Sequence, residues 1–320
     1  MKRILVTGAL GQIGSELVPK LRDIYGDNNV IATDIKNEKQ YWQTQSGPYE
    51  SLDVSNGQAL FNLSKKYQVD TIIHLAALLS ATAEKKPLLA WNLNMGGLVN
   101  ALETAKELKC QFFTPSSIGA FGPSTPKEKT PQVTIQRPTT MYGVSKVSGE
   151  LLCDYYHLKF GVDTRGVRFP GLISYVAPPG GGTTDYAVEI FYEALLGMKY
   201  TCYIAKDTYM DMMYMPDALN AIIQLMEGDP DKLFHRNAYN VTAISVQPGD
   251  FEKAIKKFLP DFRLDYKIDP IRQAIAESWP NSIDPTVAKQ EWGFSVSYDL
   301  DKLTQDMLER LQQKFRSNAS

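Results

Sequence analysis

The chain has 320 residues, 43% of them hydrophobic and 22% charged, with 34 basic side chains against 36 acidic ones. This balance of charge argues against a protein that binds nucleic acid through many phosphate contacts, and the apolar fraction argues against a disordered chain. No stretch offers the roughly 18 apolar residues of a membrane-spanning helix. The apolar run after Met1 ends at Thr7, so we expect no signal peptide.

The cysteines and histidines argue against two further kinds of site, disulfides and bound metals. They are Cys110, Cys153, Cys202, His74, His157 and His235. The cysteines lie far apart and form no CxxC pattern, which favours reduced thiols in a cytoplasmic protein over disulfides. No two histidines are close enough in the sequence to suggest a pair of metal ligands, so we expect no metal site.

The first half of the chain alternates short apolar runs with longer helical patterns. The apolar runs predict strands at Lys2–Thr7, Val30–Thr33, Thr71–Leu75, Gln111–Ser116 and Asp163–Arg168. Helical spacing of apolar residues, with a proline in one first turn, predicts helices at Gln12–Tyr25, Pro87–Leu108 and Tyr142–Phe160. Such alternation is typical of an α/β fold with a doubly wound parallel sheet, the Rossmann arrangement.

The pattern changes after Gly171. Proline and glycine in residues 177–182 predict a loop. Further helices are predicted at Asp185–Leu196, at Asp217–Met226 and around the apolar stripe Leu303, Met307 and Leu311. We therefore expect a Rossmann domain over residues 1–170 and a smaller mixed domain over residues 171–320, some of whose segments return to the first core.

A glycine-rich turn at residues 8–14 (GALGQIG) follows the first strand and opens the first helix. Gly8 permits the tight turn, Gly11 lets the backbone approach a pyrophosphate at the helix N-terminus, and Gly14 allows close packing of helix on strand. Asp34 ends the second strand, 20 residues beyond Gly14. Its carboxylate can accept both hydroxyls of a ribose and would repel a 2′-phosphate, so the first domain is predicted to bind NAD rather than NADP.

Further cofactor contacts are expected near the ends of the same strands. They are Gln12 and Ile13 in the turn, Asp53 and Val54 after the third strand, and Leu75, Ala76 and Ala77 after the fourth. Asp53 and Val54 could bracket an adenine ring. The small residues that follow His74 would let the backbone of a cofactor pass close to the sheet.

Tyr142 and Lys146 stand four residues apart at the start of a predicted helix, so their side chains share one face. A neighbouring ammonium and a bound cationic nicotinamide would favour the phenolate, which makes Tyr142 a candidate general base. The pair follows a strand that ends at Ser116 and Ser117, on the carboxyl edge where ligands of such sheets bind.

Together these motifs resemble the extended short-chain dehydrogenase/reductase family over essentially the whole chain. The resemblance implies that Tyr142 is the catalytic acid/base and that Lys146 supports its phenolate and binds the nicotinamide ribose. It implies that Ser117 orients the substrate oxygen. It also places Asn94 in the long helix as a fourth catalytic and cofactor-binding residue, and Pro170 in a loop that lines the nicotinamide.

Many members of that family act on nucleotide-sugars and use an arginine to pair with the diphosphate. Met210 stands where that arginine would be, which argues against such a substrate. Groups suited to a small carboxylate substrate are present instead at Ser80, Gly182, Thr183 and Thr184. Thr184 is also a candidate cap for the helix that begins at Asp185.

Separated segments around Ser80, Ser117, Gly171 and Gly182 resemble the short-chain type L-threonine 3-dehydrogenases. That family often has threonine where this chain has Ser117, and the hydroxyl is retained. The resemblance implies NAD-dependent oxidation of the L-threonine 3-hydroxyl to 2-amino-3-ketobutyrate, with release of NADH. Asn94 would place a water that carries the proton outward.

Two alternatives stay open. One is a nucleotide-sugar epimerase or dehydratase that uses NAD transiently, and the other is a non-catalytic NAD-sensing module. The family resemblance also implies a homodimer formed through the helices at Pro87–Leu108 and Tyr142–Phe160. We expect a cytoplasmic enzyme with a small amino-acid substrate and with no nucleic-acid, membrane or metal partner.

Overall fold

The computed structural model describes residues 1–36, 46–178 and 180–319, so Pro179 of the predicted loop lies outside the described residues. The strands are β1 (Ile4–Thr7), β2 (Val30–Asp34), β3 (Tyr49–Ser51), β4 (Thr71–His74), β5 (Gln111–Phe113), β6 (Ser116–Ser117), β7 (Thr164–Arg165), β8 (Val167–Phe169), β9 (Gly171–Ile173), β10 (Lys199–Cys202), β11 (Met210–Tyr214), β12 (Tyr239–Asn240), β13 (Ile244–Val246) and β14 (Arg263–Tyr266).

The helices of the described part are α1 (Gly14–Tyr25), α2 (Gly57–Lys66), α3 (Ser80–Lys85), α4 (Pro87–Leu108), α5 (Met141–Phe160), α6 (Tyr186–Leu196), α7 (Met215–Glu227), α8 (Pro248–Lys256), α9 (Pro270–Ser278), α10 (Thr286–Trp292) and α11 (Leu300–Ala319). Within the described ranges, no helix combines the length and the apolar character that a membrane span requires.

The predicted doubly wound parallel sheet is confirmed. Six parallel strands lie in the order β3-β2-β1-β4-β5-β7. Leu5 on β1 is in register with Ile31 and Ile72 on the strands either side, and all three pack on the face covered by α2, α4 and α5. Their neighbours in sequence, such as Val6 and Ala32, pack on the opposite face against α1 and α7. Burial of both faces explains why these strands are continuously apolar rather than alternating.

Two predicted strands divide between sheets. The strand expected at Gln111–Ser116 forms β5 in the central sheet and β6 in a small sheet of order β12-β8-β6, and the strand expected at Asp163–Arg168 forms β7 and β8. Gly166 separates the latter pair, because its N–H donates to the carbonyl of Arg236. A Cβ at Gly166 would lie 2.7 Å from the carbonyl oxygen of Thr114. The apolar pattern of the sequence does not indicate that either predicted strand divides between two sheets.

The second half of the chain contributes to two cores. The predicted apolar stripe of α11 is buried in one of them, together with α6 and β11. Other segments, within residues 213–241 and 288–294, pack in the same cluster as β1, β2 and α1. The division of the chain at residue 170 stays a prediction, since side chains from both halves share this second core.

Gly14 is expected to be a position where a methyl group cannot be accommodated. A Cβ there would lie 2.4 Å from the carbonyl oxygen of Gly8, whereas a Cβ at Gly249 in the first turn of α8 would make ordinary contacts of 3.5 Å with Lys206. Gly14→Ala should lower the free energy of unfolding by about 1–3 kcal/mol. Gly249→Ala should leave it unchanged or raise it, because alanine favours the helix. Denaturant titration of both variants checks this, and equal stabilities would contradict it.

Candidate active site

An open cleft lies at the carboxyl edge of the central sheet, beside the segment that leads into α6. The predicted site residues that line it are Gln12, Ile13, Leu75, Ala77, Ser80, Ser117, Tyr142, Lys146, Pro170, Gly182, Thr183 and Thr184. These residues come from segments far apart in the sequence. The fold therefore gathers these groups around one space. The other predicted site residues are outside its lining, namely Gly8, Gly11, Gly14, Asp34, Asp53, Val54, Ala76 and Asn94.

The first turns of α5 hold the predicted base and its lysine. Thr140 caps the helix, with its hydroxyl oxygen accepting the N–H of Gly143 at 3.1 Å. The ring of Tyr142 is buried, and a Cβ at Gly119 would lie 3.1 Å from two of its carbons, so the turn after β6 packs tightly on it. The ammonium of Lys146 lies 5.4 Å from the centre of the Tyr142 ring.

Lys146 is held in this position by the main chain. Its Nζ donates a hydrogen bond of 2.7 Å to the carbonyl oxygen of Pro115. The partner is a neutral carbonyl rather than a carboxylate, so the positive charge stays available to the neighbouring phenol. Ser117 ends β6 two residues further on, and its oxygen accepts the N–H of Gly119 at 3.1 Å. Its hydroxyl hydrogen is not used in that bond and can be donated into the cleft.

Asn94 on α4 fixes the chain that follows β4. Its Oδ1 accepts the N–H of Leu78 at 2.8 Å, and its Nδ2 donates to the carbonyl oxygen of Leu78 at 3.2 Å and to Ser145 at 3.4 Å. The side chain lines a second, narrower cavity that continues behind Lys146. Most of its hydrogen-bonding capacity is therefore spent on positioning, and the predicted relay water at Asn94 stays a prediction.

His74 ends β4 in the wall of the same second cavity. A hydrogen bond of 2.9 Å joins its Nδ1 to the hydroxyl of Thr7, while its Nε2 has no partner among the residues that the structure describes. Burial, together with the nearby Lys146 ammonium, lowers the pKa of His74 to about 3. The ring is therefore neutral at physiological pH and adds no charge beside Lys146.

The glycine-rich turn fits a dinucleotide. Gly8 has φ of 68°, and a Cβ there would lie 2.8 Å from the backbone nitrogen of Ala76, so the turn and the end of β4 are in close contact. Gln12 and Ile13 line the cleft directly before α1, and the positive end of the helix dipole there favours a phosphate. The two oxygens of Asp34 each accept one backbone N–H, from Leu10 and Lys36, which leaves capacity for ribose hydroxyls.

Asp53 and Val54 lie apart from the groups that line the cleft. Both follow β3, at the same edge of the sheet as Asp34. Val54 is buried, and a Cβ at Gly97 would lie 2.9 Å from it, whereas Asp53 is exposed and accepts the N–H of Ser55. The position suits the far end of a dinucleotide, and the contact with an adenine ring stays a prediction.

The loop before α6 differs in detail from the sequence-based expectation. Asp185, not Thr184, is the residue before the helix, and the Asp185 carboxylate accepts the N–H groups of Gly181 and Gly182, each at 2.8 Å. Thr184 instead packs against Gly171, where a Cβ would lie 2.9 Å from it. A substrate carboxylate would therefore meet hydroxyl groups here rather than the N–H of Gly182.

The hydroxyls of Ser80 and Thr183 face one another across the cleft wall. Their oxygens lie 3.4 Å apart, and both side chains are buried. Two segments separated by about a hundred residues are thus joined at the predicted substrate site. Both hydroxyls can redirect their hydrogens toward a ligand, because a hydroxyl rotor is free to turn.

Two further residues that line the cleft, Asp185 and Trp279, were not predicted from the sequence to belong to the site. Asp185 was singled out only as the start of a helix, yet its carboxylate is buried, and burial raises its pKa. Trp279 lines the cleft from the distant segment after α9, and its buried Nε1–H has no partner within the part of the chain that the structure describes. The acid could have been found by its place beside the glycines, but no local pattern marks the tryptophan.

Met210 lies in the core of the second half. It is fully buried on β11, packed in the cluster that includes Phe191 and Met212. Met210 therefore supplies an apolar contact here, and its correspondence to a diphosphate-binding arginine stays a prediction from the family resemblance.

Comparison with known proteins agrees with this arrangement. Residues 4–242 match the family described as NAD dependent epimerase/dehydratase. A Staphylococcus saprophyticus protein named an uncharacterized epimerase/dehydratase is 62% identical over 314 residues, 98% of each chain. The solved L-threonine dehydrogenase of Clostridium difficile is 65% identical, with a TM-score of 0.97 over 98% of both chains. A monomeric L-threonine 3-dehydrogenase from a metagenome is 42% identical, with a TM-score of 0.94 over 97% of this chain and 99% of its own. The chain therefore belongs to the NAD dependent epimerase/dehydratase family.

Proposed function

We propose that this protein oxidises the 3-hydroxyl of L-threonine to the ketone of 2-amino-3-ketobutyrate and releases NADH. The observation that carries the proposal is the pairing, in one cleft, of the Tyr142 and Ser117 hydroxyls with the buried carboxylate of Asp185. A phenol and a hydroxyl suit an alcohol substrate, and a buried carboxylate suits an ammonium group. The 65% identity to a solved L-threonine dehydrogenase supports the same reaction.

The polar groups of the cleft match the three functional groups of L-threonine. Asp185 would pair with the ammonium group. The hydroxyls of Ser80 and Thr183 would donate to the carboxylate. So would the Nε1–H of Trp279, which has no partner among the described residues. A buried donor without a partner costs about 1–3 kcal/mol, so a ligand that satisfies Trp279 gains that amount in binding.

NAD is the cofactor, and when bound it would accept the hydride from C3 of the substrate. Gln12, Ile13 and the N-terminus of α1 would hold its pyrophosphate, and Asp34 its adenosine ribose. Tyr142, as the phenolate, would take the proton of the 3-hydroxyl. Ser117 would hold the substrate oxygen against it. The Lys146 ammonium, fixed by the carbonyl of Pro115, would stabilise the phenolate.

The epimerase or dehydratase alternative keeps the same cofactor but needs a site for a nucleoside diphosphate. The burial of Met210 in the core argues against the diphosphate contact that such members use. A non-catalytic NAD-sensing module is disfavoured because Tyr142 and Lys146 are both present and close together. We also keep a cytoplasmic location as a proposal, which the three buried free thiols support.

A homodimer is the proposed assembly. Large apolar side chains are exposed along the neighbouring helices α4 and α5, at Leu88, Leu89, Trp91, Val99, Val144, Leu151, Tyr155 and Leu158. On α5 they recur at helical spacing and form one stripe on the side away from the core. A second copy of the chain would cover this stripe with an equivalent one.

The proposed reaction predicts free NADH in stoichiometric amounts. The protein mixed with NAD and L-threonine should show a continuous rise in NADH absorbance, with a weaker rise for L-serine and none for UDP-sugars. Tyr142→Phe should lower the rate by 10²-fold or more, the usual contribution of a general base, while NAD binding persists. Full activity of Tyr142→Phe would refute the assignment of the base. Turnover of a UDP-sugar without net NADH would favour the epimerase alternative.

The preference for NAD over NADP should depend on Asp34. Asp34→Ala removes two charge-assisted contacts to the ribose and the repulsion of a 2′-phosphate, so the dissociation constant for NAD should rise roughly tenfold or more. The affinity for NADP should fall less or increase. Asp23→Ala, at an exposed acid on α1, is the matched control and should change neither affinity. Fluorescence titration measures both constants, and an unchanged ratio in Asp34→Ala would contradict the ribose contact.

The dimer should depend on the exposed stripe of α5. The wild-type protein is expected to show twice the 35.8 kDa mass of the chain in light scattering after size exclusion. Leu151→Asp with Leu158→Asp should give the single-chain mass, because charged groups would be buried in the interface. Leu196→Asp, at a position that is 66% exposed on α6, is the control and should leave the mass unchanged. A monomeric wild-type protein, as in the metagenomic relative, would refute the proposal.

A further inference from the structure

We propose that Arg168 is a positioning residue for the Tyr142–Lys146 pair, because its ion pair with Glu150 keeps Glu150 from neutralising the Lys146 ammonium. The kinetic test of this role rests on the proposed function, because it measures the rate at which the substrate is oxidised. Neither Arg168 nor Glu150 touches the substrate in this account, and both act through Lys146.

Glu150 is placed where it could capture Lys146. The two residues stand one helical turn apart on α5, a spacing at which lysine and glutamate side chains meet and attract one another. Both line the second cavity behind the cleft. Glu150 is 7% exposed, so water screens its charge poorly and an unpaired carboxylate would act strongly on the nearest cation.

The structure gives Glu150 other partners. Arg168 donates two hydrogen bonds to the Glu150 carboxylate, from Nε to Oε1 at 3.0 Å and from Nη2 to Oε2 at 2.9 Å. Gln136 donates to Oε2 at 2.7 Å, and the hydroxyl of Ser116 donates to Oε1. Both oxygens are occupied in this way, and among the described residues Glu150 pairs with Arg168 rather than with Lys146, which binds the carbonyl of Pro115 instead.

Arg168 is itself fixed, so it cannot follow Glu150 toward the cleft. Its Nη1 donates to the carbonyl oxygen of Gln132 at 2.8 Å and to Oδ1 of Asn240 at 3.1 Å. The guanidinium lies 5.1 Å from the centre of the Phe121 ring. It stands on β8, immediately before Phe169 and Pro170, which line the cleft. The charges of Arg168 and Glu150 cancel, and that of Lys146 remains for the phenol.

Other titratable groups also surround the Tyr142–Lys146 pair. His74 on β4 is neutral, Glu84 on α3 accepts the N–H of Met141, and Cys153 on α5 keeps its proton because burial raises its pKa. Asp185 faces the cleft from the loop before α6. The Glu150 charge raises the pKa of Cys153 further, but burial is the larger cause and keeps that thiol protonated without Glu150 as well. A change of charge at those two residues is therefore read directly at Tyr142.

Three variants at these positions, with the pH dependence of kcat/KM for L-threonine, test the proposal. Arg168→Gln leaves Glu150 free to neutralise Lys146, so the acid limb of the profile should move to higher pH by about one unit. Glu150→Gln leaves the Arg168 charge uncompensated, so the acid limb should move to lower pH. The double variant, Arg168→Gln with Glu150→Gln, should return the limb close to its wild-type position. Opposite shifts and their mutual rescue would not follow from structural damage alone.

A conservative variant keeps the test decisive where Arg168→Gln does not fold. Arg168→Lys retains the charge but loses the fork of two bonds, so its acid limb should stay in place while its thermal stability falls. Together with Glu150→Gln this separates charge from packing. The proposal would be overturned if the acid limb stayed at the wild-type pH both in Glu150→Gln and in every folded variant that lacks the Arg168 charge. It would also be overturned if the limbs of Glu150→Gln and of the uncharged Arg168 variant moved in the same direction.

A second readout separates this inference from the proposed function. The ionisation of Tyr142 can be followed by the ultraviolet absorbance of tyrosinate, as the difference between each variant and the same variant carrying Tyr142→Phe. The midpoints of these titrations should shift in the same directions as the acid limbs. If the wild-type protein does not oxidise L-threonine, the proposed function fails, and the absorbance midpoints alone confirm or overturn the role of Arg168.

Discussion

The placement of one positive charge, that of Lys146, is the constraint on which the rest of the site depends. The ammonium lies 5.4 Å from the centre of the Tyr142 ring and is fixed there by the carbonyl oxygen of Pro115. A cation beside a phenol favours the phenolate, and only the phenolate is a useful base near neutral pH. The cap of α5, the close turn at Gly119 and the Arg168–Glu150 ion pair all hold this arrangement.

The parts of the site that could be predicted are those whose signal is local in the sequence. The glycine turn before α1 and the spacing of Tyr142 and Lys146 each lie within one short segment, and the structure brings both to the predicted edge of the sheet. The central sheet was predictable for a related reason, since strands buried on both faces are continuously apolar. The division of two predicted strands between sheets was not, because the change depends on Gly166 and distant backbone contacts.

The proposed substrate-binding part of the cleft was harder to predict, because its side chains come from distant segments and are neighbours only in the folded chain. Ser80 and Thr183 come into contact across a long sequence separation, and Trp279 enters the same cleft from beyond α9. The N–H groups of Gly181 and Gly182 donate to the Asp185 carboxylate and not to a substrate, as the sequence had suggested for Gly182. Asp185 itself adds a buried carboxylate to the cleft. The second half of the chain thus shapes a small polar space, while Met210 is buried in its core.

In the proposed reaction, hydride leaves C3 of L-threonine and departs from the protein as NADH. The most direct measurement follows deuterium from L-threonine labelled at C3, by mass spectrometry of the nicotinamide cofactor free in solution. Each released NADH is expected to carry one deuterium, and the labelled pool is expected to grow with every turnover. Unlabelled cofactor, or label that never leaves the protein while a nucleotide-sugar is turned over, would contradict it.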